Sequence, residues 1–263
     1  MARANLPENP CIHRPYGRSS VPDIAANVSA SLQSLVREFD IITHNIANAS
    51  TTGYKRQCSS FADALGSQMN PTGQTDGNAE STERVFDFSQ GSLTQTGRSL
   101  DLALAGKGFF VVETPEGPLY TRNGMFQTNQ NGQVVDSEGR LIAGEGGPLV
   151  IPSSVDSSKI GVGTDGTVHA GSTTLGRLRI VDFTDAEDQL LPAGRDCWRA
   201  PADAPAVDAE GVTVKQGYRE ASNVTLVEEL VNMITVTRAY EANVKLVSVS
   251  RQAVNSLLGV AMG

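Results

Sequence analysis

The chain has 263 residues, 21 basic against 29 acidic, a net charge of -8 and an apolar fraction of 39% with only 5% aromatics. An acidic balance of this size excludes a nucleic-acid binder driven by bulk charge, since phosphate recognition needs an electropositive face. No apolar run reaches the 18 residues needed to cross a membrane, and Cys11, Cys58 and Cys197 can neither all pair nor share metal-ligand spacing.

Residues 1–20 carry scattered positive charge and three prolines without the continuous apolar stretch of a secretory signal, and read as a disordered N-terminal extension. Residues 21–56 form the first structural segment, a helix and its closing turn. Apolar residues fall at Val28, Leu32, Leu35, Phe39, Ile42, Ile46 and Ala49, an alternating 4-3 spacing that predicts a coiled-coil seam. Asn45, Asn48, Thr52 and Gly53 are the residues expected to end this helix, with Gly53 free to take the left-handed conformation. Residues 57–90 are polar and rich in Gly, Ser, Thr, Asn and Gln, which suits a linker or extended arm.

Most of the 26 glycines lie between Gly91 and Gly217, none lies between Tyr218 and Leu258, and no proline follows Pro205. Both residues are disfavoured inside helices, so residues 91–219 and 220–263 must be built differently. In the middle segment short apolar runs such as Phe109–Val112 alternate with Glu116-Gly117, Asn123-Gly124, Asn131-Gly132, Glu138-Gly139 and Asp165-Gly166. These dipeptides favour hairpin turns at each site and predict an antiparallel, all-β domain. At the C-terminal end Leu226, Leu230, Met233, Thr237, Tyr240, Val244, Val247, Arg251, Val254 and Leu258 repeat the seam, after a Thr225-x-x-Glu228 capping-box pattern. The helix would span roughly 50 Å at 1.5 Å per residue, too long for the core of a compact domain this size. The fold class expected is α+β: long terminal helices forming a coiled-coil domain, with the β domain inserted between them.

Catalytic signals are weak. Gly161-x-Gly163-x-x-Gly166 matches a dinucleotide fingerprint by letter, but no helical period follows it. Asn129, Asn131, Gly132 and Glu138 fit a calcium loop at four points, yet Gln127 stands where its first carboxylate belongs and an Asn-Gly hairpin is the simpler reading. The cluster Asp182, Asp185, Glu187 and Asp188 could supply paired carboxylates for glycoside hydrolysis, and is more simply a solvated turn. His13, His44 and His169 share no metal or nucleophile motif. No catalytic residue, cofactor or metal is expected, and the chain reads as a protein of association rather than catalysis.

Three blocks, NIANASTTGYKR (Asn45 to Arg56), SLDLALAGKGFFVVETPEGPLYTRNGMFQTNQNGQVV (Ser99 to Val135) and EASNVTLVEELVNMITVTRAYEANVKLVS (Glu220 to Ser248), resemble the flagellar basal-body rod and hook protein family. The resemblance implies a structural subunit of the rod, the shaft that crosses the periplasm and transmits torque to the hook. It also implies terminal helices that form the inner domain, and export through the flagellar type III apparatus without a cleaved signal peptide. Its implied partners are copies of itself, other rod subunits, the hook protein and the basal-body ring proteins. The C-terminal block resembles the distal rod subunit, whereas the strings around Gly161 and Arg177 resemble the proximal one. A hook or hook-associated subunit is the alternative within the class, and a secreted carbohydrate-active β protein the alternative outside it.

The seams themselves suggest where assembly contacts lie, because a head-to-tail contact that does not close generates an open helical polymer. The expected interface sets Leu32, Leu35, Phe39, Ile42 and Ile46 against Leu230, Met233, Tyr240, Val244 and Val247.

Overall fold

The structure, a computed structural model, describes residues 21–58, 85–152, 155, 159–183, 186–202 and 204–262. The extension at 1–20 and most of the arm, 59–84, lie outside the described residues. Helices α1 (Val21–Ala47) and α2 (Leu226–Met262) bracket the strands. Strands β1 (Arg56–Cys58), β2 (Val85–Asp87), β3 (Leu93–Gln95) and β4 (Leu102–Ala105) come first. They are followed by β5 (Phe109–Thr114), β6 (Gly117–Thr121), β7 (Gln127–Thr128), β8 (Val134–Val135), β9 (Leu141–Gly144) and β10 (Gly147–Pro148). Then come β11 (Ile160–Val162), β12 (Thr167–Ala170), β13 (Thr173–Arg177), β14 (Ile180–Asp182), β15 (Leu191–Pro192), β16 (Cys197–Arg199), β17 (Val207–Asp208), β18 (Thr213–Gln216) and β19 (Tyr218–Glu220).

Among the described residues two compact units emerge, one comprising 21–36 with 238–262 and the other Arg37–Thr237. The second holds all the strands, the last turns of α1 and the first turns of α2. Its largest sheet runs β15-β16-β6-β5-β9-β8-β7, with β10 beside β9 and β14 joining β5 to β17. A three-stranded sheet, β11-β12-β13, and the pairs β1-β2, β4-β18 and β3-β19 complete it, and every pairing of named strands is antiparallel.

Strand β5 sits at the centre because both its faces are apolar. Alternate side chains of a strand point to opposite sides, so the continuous run Phe109-Phe110-Val111-Val112 feeds two cores. Phe110 and Val112 pack with Phe126, Ile142 and Leu149, while Phe109 and Val111 pack with Tyr120, Phe183 and Trp198. The turn dipeptides do most of the folding work expected of them. Gly117, Gly132, Gly139 and Gly166 all have positive φ, from 76° to 120°, and each closes or follows a reversal between neighbouring strands. At Asp165-Gly166 the Asp165 carboxylate accepts from the Thr167 amide and hydroxyl, so the G-x-G-x-x-G string is a β11–β12 hairpin. At β7–β8 the Asn129 side chain accepts from the amides of Asn131 and Gln133, which closes the loop that resembled a calcium site.

Asn123-Gly124 differs from the hairpin expected of it. Gly124 is absent from the positive-φ glycines, and its value is steric: a Cβ there would lie 1.7 Å from the Leu102 carbonyl oxygen. The Leu102 amide in turn donates to the Gly124 carbonyl at 2.9 Å, so two backbones run in contact.

The expected coiled coil is overturned. Both helices exist, but as single helices and not as a long interlocked pair. The seam positions Phe39, Leu230, Tyr240 and Val244 remain 40 to 45% exposed. The physical reason lies in what stands between the seam positions. Val227, Val231, Ile234, Leu246 and Val249 are also exposed, so α2 carries apolar side chains around much of its circumference rather than in one stripe. Its half-buried positions, Asn232, Met233, Val236, Ala239, Asn243 and Val247, follow a face largely displaced from the one the heptad count selects. In α1 the half-buried and buried positions, Val28, Leu32, Ser34, Leu35, Glu38, Ile41, Ile42, Asn45 and Ile46, leave the heptad line at Phe39 and add polar positions beside it.

Replacing Gly124 by Ala is expected to cost about 3 kcal/mol or more, because the clash is with backbone that cannot rotate away. Gly146→Ala, where a Cβ meets nothing within 4 Å, should change stability by less than about 0.5 kcal/mol. Urea unfolding of the two variants checks the contrast.

Candidate functional site

The end of α1, the strand that follows it and the start of α2 converge on a buried polar clasp. The chain leaves α1 through a tight turn. The Asn48 amide donates to His44 and Asn45 carbonyls, its side-chain amide donates to the His44 carbonyl at 2.9 Å, and Thr51 Oγ1 donates to Asn48 Oδ1. Gly53 then takes φ 74° and its amide donates to the Glu220 carbonyl at 2.8 Å. A Cβ on Gly53 would stand 2.6 Å from the Asn123 nitrogen, so this turn, too, is pressed against backbone.

Asn45 lies within α1 and points inward. Its Oδ1 accepts from the Gln57 amide and its Nδ2 donates to the Gln57 carbonyl, both at 2.9 Å, so one side chain occupies the place of a partner strand beside β1. Tyr54 donates to the same Oδ1 at 3.1 Å. With that proton committed, His44 Nδ1, 2.9 Å from the Tyr54 oxygen, is the donor in their contact.

Charge lies beneath this layer. Lys55, 1% exposed, donates from Nζ to Glu220 Oε1 at 2.7 Å and to the Ser89 carbonyl. The same Glu220 oxygen accepts from the Gly91 amide at 3.0 Å, and its other oxygen lies 3.5 Å from Arg122, also buried. One helical turn into α2, Glu229 is buried and accepts from Arg56 Nε and from Asn45 Nδ2. Asn223 accepts from the Arg56 amide and donates to the Asp87 carbonyl. Burial pushes the Lys55 pKa down despite Glu220, and does the same to Arg122. The Tyr54 hydroxyl is pushed up to about 12, first by burial and then by the fields of Asp196 and Glu229.

The expected site residues are distributed unevenly. Asn45 and Gly53 belong to the clasp, Asn48 closes the helix, and Thr52 lines a cleft of about 780 Å³ with His44, Asn123, Arg140 and Asp196. Ile42 is buried inside the subunit, whereas Leu32, Leu35, Ile46, Met233 and Val247 are half-buried, and Phe39, Leu230, Tyr240 and Val244 are exposed. Sequence reasoning missed Lys55, Arg122, Glu220 and Glu229. Charged residues inside turn-like strings look like surface, and the available signal was only that YKR and EASN stand in blocks with conspicuous likeness elsewhere. Of the acidic cluster, Asp182, Glu187 and Asp188 lie on β14 and a 3-10 turn, and Asp185 lies outside the described residues.

The start of α2 supplies the other feature. The helix begins at Leu226, with the Thr225 carbonyl accepting from the Glu229 amide. Glu229 faces the clasp, and the rest of the first turns is left with Leu226, Val227, Leu230, Val231 and Ile234, each 45 to 70% exposed.

A Tyr whose folded pKa exceeds its unfolded value contributes stability that is complete below pH 10 and lost as pH rises toward 12. Tyr54→Phe should therefore be destabilised by about 1 kcal/mol at pH 8, from the lost hydrogen bond, yet lose less stability than the parent between pH 10 and 12. Denaturant midpoints measured across that window check this.

Comparison with known proteins gives three family matches and a set of full-length relatives. Residues 31–55 match "Flagella basal body rod protein", 103–170 match "Flagellar hook protein FlgE/F/G D1 domain", and 215–259 match "Flagellar basal body rod FlgEFG protein C-terminal". The chain is 36% identical over 248 residues to the flagellar basal-body rod protein FlgG of Buchnera aphidicola from Acyrthosiphon pisum, covering 83% of this chain and 92% of that one. It is 35% identical over 250 residues to FlgF of Caulobacter vibrioides, covering 89% and 98%, and 30% identical over 256 residues to FlgG of Bacillus subtilis, covering 88% and 96%.

Proposed function

The chain belongs to the flagellar basal-body rod protein family and is a structural, non-enzymatic subunit of the flagellar basal body, and from that premise we propose that its terminal helices carry the contacts that build the rod. Assembly with other basal-body components follows from the family. The finer reading is that these are further copies of this chain, other rod subunits, the hook protein and ring proteins, in a shaft crossing the periplasm. Delivery by the type III apparatus without a cleaved signal peptide belongs to the same reading.

The observation that carries it is the aliphatic face at the start of α2. Five neighbouring large apolar residues lie open to solvent on a helix fixed by Glu229. Contiguous apolar surface of this kind marks a protein interface, since leaving it wet forgoes about 25 cal/mol per Å². Val36 and Phe39 add exposed apolar surface on α1, and Tyr240, Val244, Leu246 and Val249 continue it along α2. Leu32, Leu35, Ile46, Leu230, Met233 and Val247 complete the proposed contact set. Ile42, being buried within the subunit, is excluded from it. Apolar residues on several sides of one helix suit packing against more than one neighbour at once, which a single paired seam would not provide. Torque would then pass from helix to helix through dry side-chain contact and reach the β domain through the clasp.

Ile234→Asp and Val244→Asp each place a charge in that contact at a cost of several kcal/mol. Both variants are expected to lose sedimentable polymer while keeping the wild-type β-sheet circular dichroism. Normal polymer yield from both would contradict the reading.

A further inference from the structure

The clasp has an asymmetry along the chain. Its buried cations, Lys55 and Arg122, belong to the part of the chain made first, while the carboxylates that form close ion pairs with the clasp's cations, Glu220 and Glu229, come from the last quarter. Lys55 and Glu220 are separated by 165 residues, and Arg56 and Glu229 by 173. Without residues 220–229, folding the sheets would bring Lys55 and Arg122 together inside the protein with only the Ser89 and Gly106 carbonyls beside them and the weaker fields of Asp87, Asp182 and Glu187 to offset their charge. Arg122 already works against the charge on Lys55 in the finished structure. An unpaired buried charge is among the most destabilising features a fold can contain.

The network is also a poor device for stability alone. Glu220 Oε2, Glu229 Oε2 and Arg122 Nε are buried without a hydrogen-bond partner among the described residues. Well-packed apolar side chains of similar volume generally serve at least as well as such a cluster. What charges provide and apolar groups do not is dependence on a particular distant partner. Glu220 supplies that dependence at three points, since its carbonyl accepts from Gly53 and its carboxylate accepts from Lys55 and from Gly91.

We infer that the Lys55–Arg122–Glu220 cluster is a completion switch: the central sheet does not reach native packing until residues 220–229 have docked. The β domain and the placement of α2 thus form in one step. Taken with the rod reading, on which this one clause rests, the aliphatic face of α2 is presented only by a finished subunit. The switch itself is tested on refolding of the dispersed full-length chain, so its failure is distinguishable from failure of the assembly reading.

Pulse-labelled hydrogen exchange during refolding reads the order of events. In the wild type, amides of β5 and β6 should become protected in the same phase as those of Gly53 and Gly91, which bond Glu220. In Lys55→Met/Arg122→Met/Glu220→Leu the sheet amides should be protected in an earlier phase, about tenfold faster. Sheet protection that precedes Gly53 and Gly91 in the wild type would overturn the inference, as would an unchanged order in the triple variant. Should the triple variant not fold, Glu220→Gln decides. It should slow folding about tenfold with little change in unfolding, because the carboxylate is needed at the barrier. The opposite partition, normal folding with faster unfolding, would show that the clasp closes afterwards and would overturn the inference.

Discussion

A lysine ammonium and a glutamate carboxylate, 2.7 Å apart and shut away from water, hold the β domain and the two helix ends in register. Neither charge is tolerable there without the other, so the pair does not stretch or slide by degrees. Gly53, Gly91, Tyr54, Gln57 and Asn223 are arranged around it through backbone bonds whose geometry follows once Lys55 and Glu220 meet. Asn45 and Glu229 extend the same arrangement into the helices, so the directions in which α1 arrives and α2 departs are set by hydrogen bonds rather than by apolar packing.

That division of labour explains why so little of the helices is buried in the Arg37–Thr237 unit. The sheets have their own two cores, built on the opposite faces of β5, and do not need the helices to cover them. The helices keep apolar residues such as Phe39, Leu230 and Ile234 available because attachment is achieved elsewhere, by polar groups. Attachment by hydrophobic packing would have buried those side chains.

The parts of this arrangement that could be read from the chain were those with a local cause. Glycine at Gly117, Gly132, Gly139 and Gly166 is demanded by backbone angles two residues wide, and the absence of glycine and proline between Tyr218 and Leu258 permits one long helix. Asn123-Gly124 carries the same letters as a hairpin but answers to a distant strand, β4, and nothing nearby in sequence announces that. The heptad count failed for a related reason. Counting apolar hits at chosen positions ignores Val227, Val231 and Ile234 between them, and these decide whether a helix has one sticky stripe or several. Among the site residues, Asn48 bonds within its own turn and the left-handed angle of Gly53 has a local cause, though its bond to Glu220 and its contact with Asn123 do not. Lys55, Arg122, Glu220 and Glu229 become a site only through contacts between residues far apart in sequence, and a charged side chain gives no local hint that it will be buried.

Strands β3 and β4 open the β domain and strands β19 and β18 close it, paired antiparallel side by side. Entry and exit of the intervening chain are therefore neighbours, and everything from β5 to β17 hangs from one narrow doorway. Parts of that segment remote from Arg122 and Asn123 can be lengthened or trimmed without moving the helices, because neither flank has to travel to accommodate them.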